Sequence, residues 1–237
     1  DQFTLSVSNV NDAPTLSNPI VDQHATEDSS FSLVIPPSIF ADVDAGDVLM
    51  YTATLVNASG NAIGNGSLPT WLTFNSSNHT FSGTPANGDV GSLNIKVKAS
   101  DSSNASASDI FALTVSNTND APILVNSVSD QTISEDSVLN FMLPANSFND
   151  VDAGDSLAYS ATVVDASGNM IGNGALPNWL SFNPSTRTFS GTPSNGDIGV
   201  SNIKVAATDK VGASISDQFV LSVVNTNDVP TLSSAIP

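Results

Sequence analysis

The chain has 237 residues, a length that allows one or two domains. Asp and Glu number 23 against 5 Lys and Arg, giving a net charge of −18. This charge argues against nucleic acid and anionic membranes as partners, because phosphate-rich surfaces attract positive charge. No apolar run approaches the roughly 20 residues of a membrane helix, so membrane insertion of this segment is not expected. It suits a secreted protein that binds divalent cations, although acidity can also serve only to keep a chain soluble. No cysteine is present, so disulfides contribute nothing to stability.

The tetrapeptide Asn-Asp-Ala-Pro recurs at intervals of 108 residues, at Asn11–Pro14, Asn119–Pro122 and, with Val in place of Ala, Asn227–Pro230. The sequence between these copies repeats without insertion, and such a repeat decides the architecture before any other feature. It predicts two tandem modules, residues 11–118 and 119–226. Residues 1–10 are predicted to be the last strand of a preceding repeat, and residues 227–237 the start of a following one. The tetrapeptides are therefore interpreted as the joints between modules.

The first module contains short segments that alternate apolar and polar residues, the pattern of half-buried strands. Strands are predicted at residues 20–23, 30–35, 49–56, 68–74, 80–85, 93–99 and 110–115. Turn-forming Gly, Pro, Asn and Ser separate them, and the second module repeats every step. No stretch has helical period. About seven short strands in roughly 100 residues are typical of an Ig-like β-sandwich, so an all-β fold of two tandem sandwiches is predicted.

Carboxylates recur at the same five places in each module. These are the joints (Asp12, Asp120, Asp228), Glu27/Glu135, the Asp42-x-Asp44 and Asp150-x-Asp152 pairs, Asp89/Asp197 and Asp101/Asp209. Most lack a basic partner, and crowded like charges repel unless something neutralises them. Calcium suits this composition because it takes 6–8 oxygen ligands. The alternative is that each Asp only bonds its own turn backbone, which is the interpretation given to Asp47 and Asp155.

Several of these segments resemble the cadherin repeat. Residues 117–122 are similar to the cadherin interdomain calcium linker, with Asn in place of its first Asp. Residues 150–154 resemble the Asp-x-Asp-x-Gly loop that faces the linker, and residues 207–209 the Ala-x-Asp at the end of a late strand. Glu27 resembles the glutamate on the first strand. The Leu-Pro-x-Trp-Leu and Phe-Ser-Gly-Thr-Pro segments resemble the dystroglycan-type cadherin-like modules of bacterial surface proteins, over both modules.

This resemblance implies a calcium site at each joint. At the front joint the implied ligands are Asn11, Asp12, Asp42, Asp44 and Asp101. At the middle joint they are Asn119, Asp120, the Ala121 carbonyl, Asp150, Asp152 and Asp209, with Glu27 reaching the joint from the first module. Glu135 would reach forward to Asn227 and Asp228. The family's Asp-Arg-Glu motif is absent, and Gly83-Thr84-Pro85 and Gly191-Thr192-Pro193 stand in its place. One or two ions per joint are therefore expected, with Asp89 and Asp197 as weak substitutes.

No catalytic constellation is visible, so the chain is not expected to be an enzyme. His24 and His79 align with Thr132 and Arg187, so the modules share no histidine. No Gly-x-Ser-x-Gly nucleophile elbow occurs. Trp71 and Trp179 lie in apolar segments and are expected to fill the core rather than to stack on sugars.

The resulting hypothesis is structural. The modules resemble calcium-rigidified extenders of a long extracellular or cell-surface adhesin, membrane-associated and bacterial, of the kind exported by the RTX-type route. Calcium and the neighbouring repeats would be their partners, and a terminal binding domain would be projected from the cell. The alternative is that the modules bind polysaccharide, or the matching modules of another adhesin, directly.

Overall fold

The computed structural model describes residues 2–44, 46–152 and 154–230. The chain divides into two units, Asp1–Thr118 and Asn119–Pro237. The division falls at the position where the repeat places the start of the second module. Within the described residues the regular structure is β, except for two short 3-10 turns at Asn87–Asp89 and Asn195–Asp197. The all-β prediction is confirmed.

Nine strands form three sheets in the described part of unit 1. They are β1 (Thr15–Leu16), β2 (Gln23–Thr26), β3 (Phe31–Val34), β4 (Phe40–Ala41), β5 (Met50–Val56), β6 (Leu72–Asn75), β7 (Thr80–Gly83), β8 (Gly91–Ser100) and β9 (Ser106–Ser116). The strand orders are β2-β9-β8-β5, β3-β7-β6 and β1-β4. β2 runs parallel to β9, and the other pairs are antiparallel.

The described part of unit 2 repeats this topology. Its strands are β10 (Ile123–Leu124), β11 (Gln131–Ser134), β12 (Leu139–Met142), β13 (Phe148–Asn149), β14 (Ala158–Val164), β15 (Leu180–Asn183), β16 (Thr188–Gly191), β17 (Gly199–Thr208) and β18 (Ser214–Val224). The orders are β11-β18-β17-β14, β12-β16-β15 and β10-β13. None of the helices formed by the described residues is long and apolar enough to cross a membrane.

The alternation of the long strands places one face of each sheet in a core. The side chains that are at most 2% exposed include Phe81, Ile95, Phe111 and Leu113 in unit 1 and their counterparts Phe189, Ile203, Phe219 and Leu221 in unit 2. Trp71 packs against the unit 1 core, and its ring lies edge to face against Phe31 with the ring centroids 6.4 Å apart. Trp179 packs against the unit 2 core.

The structure corrects several predicted strand boundaries. Residues 20–22 were predicted as strand, but β2 begins only at Gln23. The reason is that side chains take the backbone bonds there: Ile20 N–H donates to Asp109 Oδ2 at 2.5 Å, and Asp22 Oδ1 accepts from Ala112 N–H at 2.8 Å. The strand predicted over 68–74 begins at Leu72, because Leu72 N–H closes a turn onto the Pro69 carbonyl.

Two further strands of unit 1 were not predicted. One, β4, lies at the start of a predicted turn, and the other, β1, lies where no regular element was predicted. Phe40 and Ala41, at the start of the carboxylate-rich turn, pair with Thr15 and Leu16. Strands of two residues carry too little alternation for a periodic pattern to be visible.

The segment of residues 2–10 differs most from expectation. Residues 2–10 contain no strand, and Phe3, Leu5 and Val7 are each at least 78% exposed. Backbone donors and acceptors form a strand only when a neighbouring strand pairs with them. The assignment of this segment to a preceding repeat stays a prediction.

Candidate metal centres

The predicted ligands lie at two opposite ends of each sandwich. In unit 1, Asp101 follows directly after β8, whose last residue pairs with Met50. Glu27 follows directly after β2, which runs beside the end of β9 and therefore beside the first residues of β8. The ten residues of β8 separate the two ends by about 33 Å at the usual rise per residue.

At the Asp101 end of unit 1, the Asn-Asp segment of the front joint is hydrogen-bonded to the acidic loop. Asn11 Nδ2 donates to Asp101 Oδ2 at 3.0 Å, and Asp12 N–H donates to Asp44 Oδ2 at 2.8 Å. Asp44 N–H in turn donates to Asp42 Oδ1 at 2.9 Å. The structure thus brings the five ligands predicted for the front joint together.

Unit 2 repeats these contacts on its own residues. Asn119 Nδ2 donates to Asp209 Oδ2 at 2.9 Å, and Asp120 N–H donates to Asp152 Oδ2 at 3.0 Å. Asp152 N–H donates to Asp150 Oδ1 at 3.0 Å. Asp209 is only 5% exposed. Ala121 is exposed, and its predicted role as a carbonyl ligand stays a prediction.

Two aspartates interpreted as turn residues also join these sites. Carboxylate oxygens of Asp42, Asp47 and Asp101 all lie within 4.8 Å of one another, and we call these residues the unit 1 aspartate cluster. Asp150, Asp152 and Asp155 satisfy the same condition and form the unit 2 aspartate cluster. Asp47 does close a turn, through its N–H to the Asp44 carbonyl. The available signal was that Asp47 and Asp155 recur at the same repeat position.

Each aspartate cluster contains a buried oxygen without a hydrogen-bond partner. These atoms are Asp42 Oδ2 and Asp150 Oδ2. Leaving a buried polar atom unsatisfied costs about 1–3 kcal/mol, and more when the group is charged. A cation bound at the cluster would satisfy this oxygen and also offset the repulsion between the carboxylates.

The glutamates at the other end have the same property. Glu27 is 0% exposed and Glu135 is 2% exposed. Glu27 Oε1 accepts from Thr118 N–H at 2.5 Å, and Glu135 Oε1 accepts from Thr226 N–H at 2.7 Å. The second oxygen of each glutamate, Oε2, is buried without a hydrogen-bond partner. Thr226 directly precedes Asn227 and Asp228, and the ligand role of Glu135 toward these two residues stays a prediction.

Asn195 was not among the predicted site residues, but its side chain bonds a predicted ligand of the last joint. Its Nδ2 donates to Asp228 Oδ2 at 2.7 Å. Asp197, a predicted weak ligand nearby, is engaged by its own 3-10 turn: its Oδ2 accepts from Ser194 N–H at 2.9 Å and from Ser194 Oγ at 2.7 Å. Bonds from the Ser194 hydroxyl and backbone lower the pKa of the Asp197 carboxyl. Asp89 closes the equivalent turn in unit 1, accepting from Ala86 N–H at 3.0 Å.

The Asp209 carboxylate also organises the loop that follows β17. Its Oδ1 accepts from the backbone N–H groups of Val211, Gly212 and Ala213 at 2.7–3.0 Å. The Asn119 side-chain amide and these N–H groups lower the pKa of Asp209, although burial opposes the shift. Hydrogen bonds to the charged form of a carboxyl favour that form.

This lowered pKa predicts how stability should depend on pH in EDTA. Because the pKa of Asp209 is lower in the folded state, its contribution is complete above the unfolded value of about 3.9 and is lost as pH falls through the folded value. Asp209→Asn is therefore expected to lower the melting temperature at pH 7, and the difference from the wild type should shrink toward pH 2.5. Thermal melts by circular dichroism across this range would measure it. A difference that stays constant with pH would contradict the assignment.

Comparison with known proteins places the chain in a family. The family model He_PIG, described as "Putative Ig domain", matches residues 13–116 and 121–224. A search against curated protein sequences found no significant match. The solved structures that resemble the chain include cadherin fragments, which establish the fold alone at their low identities.

Two of these cadherin fragments illustrate the similarity. Human CDH23 EC21-23 has a TM-score of 0.58 at 14% identity, covering 90% of this chain and 70% of that one. Human mucin-like protocadherin EC1-2 has a TM-score of 0.56 at 16% identity, covering 90% of this chain and 98% of that one.

An enzyme is also among the similar structures. An endo-fucoidan hydrolase of glycoside hydrolase family 107 is 24% identical over 91% of this chain, with a TM-score of 0.37. The chain spans only 29% of the length of that enzyme. A similarity this weak supports no conclusion about activity. The family match is the stronger finding, since it covers both units almost from end to end: the chain belongs to the He_PIG family and carries its Ig-like domain twice.

Proposed function

We propose that the two units are calcium-rigidified extender modules of a long secreted or cell-surface adhesin, of the dystroglycan-type cadherin-like kind found on bacteria. The observation that carries this proposal is made separately in each unit. An Asn-Asp joint segment is hydrogen-bonded to an aspartate cluster that contains a buried oxygen without a partner. The role is structural, and a catalytic role is not proposed.

The chemistry of the clusters favours calcium over softer metals. Each cluster consists of carboxylates, and an asparagine amide bonds Asp101 in unit 1 and Asp209 in unit 2, whereas zinc and copper prefer histidine and cysteine. Calcium accepts irregular sets of carboxylate, amide, backbone carbonyl and water oxygens, while magnesium demands near-octahedral geometry. We expect the affinity of extracellular modules, a dissociation constant of about 10⁻⁴ to 10⁻³ M.

Calcium would stiffen an array of such modules by fixing the segment that connects them. Asn119 and Asp120 directly follow Thr118, the residue whose N–H is held by Glu27. With calcium bound, carboxylates on this short segment would be neutralised. Without calcium their repulsion would favour a looser connection. Glu27 and Glu135, with one unsatisfied oxygen each, are the groups that we propose as ligands from the preceding module.

Small-angle X-ray scattering of the whole chain tests this proposal. In millimolar calcium we expect a larger maximum dimension and a narrower conformational distribution than in EDTA. The double variant Asp42→Asn/Asp150→Asn should lose the calcium response, because each substitution removes one carboxylate charge from a cluster.

Asp165→Asn provides a matched control for that experiment. Asp165 Oδ1 accepts from Ser167 and Asn169 N–H, and Asn57 makes the same two turn bonds at the equivalent position of unit 1. The control should therefore keep the wild-type response. Identical scattering of the wild type in calcium and in EDTA would reject the proposed role.

Direct binding of polysaccharide has less support. Among the Phe, Trp and Tyr side chains of the described residues, Phe3 is the one that is fully exposed. Sugar-binding surfaces commonly present aromatic rings to solvent, whereas Trp71 and Trp179 pack against the cores.

A further inference from the structure

One side chain that contacts an aspartate cluster differs between the two units: it bonds Asp47 in unit 1 and the equivalent Asp155 in unit 2. In unit 1 the Oγ of Ser102 donates to Asp47 Oδ1 at 2.9 Å. The equivalent position of unit 2 is Lys210, whose Nζ lies 3.2 Å from Asp155 Oδ1. Lys210 Nζ also donates to the Gly154 carbonyl. The unit 2 cluster therefore carries a cation of its own, and the Ser102 position of unit 1 supplies only a neutral hydroxyl.

The Lys210 ammonium group contacts a carboxylate, Asp155, that a metal ion bound at the unit 2 cluster would also contact. The Asp155 side chain is 8% exposed, so its charge is shielded from bulk water, while Lys210 is 58% exposed. A second cation bound to the same carboxylates would be repelled by Lys210 or would have to displace it. Displacement is possible because the lysine chain is long, flexible and largely in solvent. The remaining buried oxygen, Asp150 Oδ2, still has no hydrogen-bond partner and still favours a cation.

We propose that Lys210 sets an affinity difference between the two clusters, so that the unit 1 aspartate cluster binds calcium first and the unit 2 cluster fills at higher calcium concentration. This inference rests on the proposed calcium function. It makes the array respond in steps, because the joint segment beside each cluster becomes fixed at a different calcium concentration. Lys210 acts as a tuning residue and is not itself a ligand.

A calcium chloride titration of the whole chain, followed by amide NMR, resolves the two clusters. Gly46 lies beside the unit 1 cluster and Gly154 beside the unit 2 cluster, and glycine amides fall in a distinct spectral region. In the wild type the Gly154 signal should reach its midpoint at about three- to tenfold higher calcium than the Gly46 signal. This ratio corresponds to one unit charge a few ångströms from the ion in a well-solvated site.

Two reciprocal variants test the role of Lys210. Lys210→Ser gives unit 2 the residue of unit 1, and should lower the Gly154 midpoint about three- to tenfold without moving that of Gly46. Ser102→Lys gives unit 1 the residue of unit 2 and should raise the Gly46 midpoint by a similar factor. Lys210→Arg keeps the positive charge and should leave the Gly154 midpoint close to that of the wild type.

The outcomes separate this inference from the calcium function on which it rests. If both glycines respond to calcium but neither reciprocal variant moves its midpoint, the tuning role is wrong and the calcium function stands. If neither glycine responds in any variant, the calcium function itself is wrong. Both variants change exposed positions, and the opposite directions expected for them guard against a general loss of folding being mistaken for the effect.

Discussion

Replacing Gly191 by alanine is expected to destabilise unit 2 by about 3 kcal/mol, the upper part of the usual range for overpacking. A Cβ at Gly191 would lie 1.9 Å from the Trp179 carbonyl oxygen, and one at Gly83 would lie 1.8 Å from the Trp71 carbonyl oxygen. Contacts this short require the backbone to move, since no flexible side chain can yield. Gly83→Ala should destabilise unit 1 to a similar extent.

Denaturant unfolding measured by tryptophan fluorescence would detect these effects, because each unit contains one tryptophan. Gly88→Ala and Gly196→Ala are matched controls in the neighbouring 3-10 turns. A Cβ at Gly88 would meet no atom within 4 Å, and one at Gly196 would lie 3.9 Å from Ser194 Oγ. If Gly191→Ala unfolded at the same denaturant concentration as Gly196→Ala, the close approach of β16 to Trp179 would not be required for stability.

Calcium is expected to produce the second large effect, a rise in melting temperature. An ion that binds only the folded state stabilises it by roughly 2.7 kcal/mol at about 100 times its dissociation constant, the ratio that 10 mM calcium reaches for a dissociation constant of about 10⁻⁴ M. For a domain of roughly 100 residues this corresponds to a rise of about 10 °C or more per site. Calorimetric melts in EDTA and in 10 mM calcium would measure the shift, with 10 mM magnesium as the ionic-strength control.

Single variants assign the calcium effect to a unit. Asp42→Asn should reduce the calcium-dependent gain of unit 1, and Asp150→Asn that of unit 2, whereas Asp165→Asn should keep both gains. In EDTA each cluster variant should melt at or above the wild-type temperature, because one carboxylate of a crowded, unneutralised group has been removed. Equal melting temperatures of the wild type in EDTA and in calcium would contradict the metal assignment.

The sequence by itself determined that the chain carries two repeats and that they are all-β. The copies of the repeat are separated by the same 108 residues, so the repeat is visible without a structure. Strand alternation is a local pattern that does not depend on distant residues. It also indicated most candidate ligands, because the resemblance to cadherin repeats supplied the segments that contain them. Asn11, Asp12, Asp42, Asp44 and Asp101 come together in unit 1 as that resemblance implied.

Only the tertiary structure decided how side chains compete for backbone groups. Asp109 takes the Ile20 N–H from 89 residues away, which delays the start of β2. A Cβ at Gly83 would lie 1.8 Å from the Trp71 carbonyl oxygen, and no local pattern marks that approach. These contacts depend on which strands lie side by side, and that arrangement is fixed by long-range pairing rather than by local preference.

The same reason explains the site residues that the sequence did not indicate. Asp47, Asp155 and Asn195 each occupy an ordinary turn, where Asp and Asn are common for local reasons. Their proximity to other oxygen atoms appears only when the loops at one end of a sandwich are brought together. Lys210 is the clearest case: in the sequence it is one of five cations, and in the fold its Nζ lies 3.2 Å from the carboxylate of Asp155, 55 positions earlier.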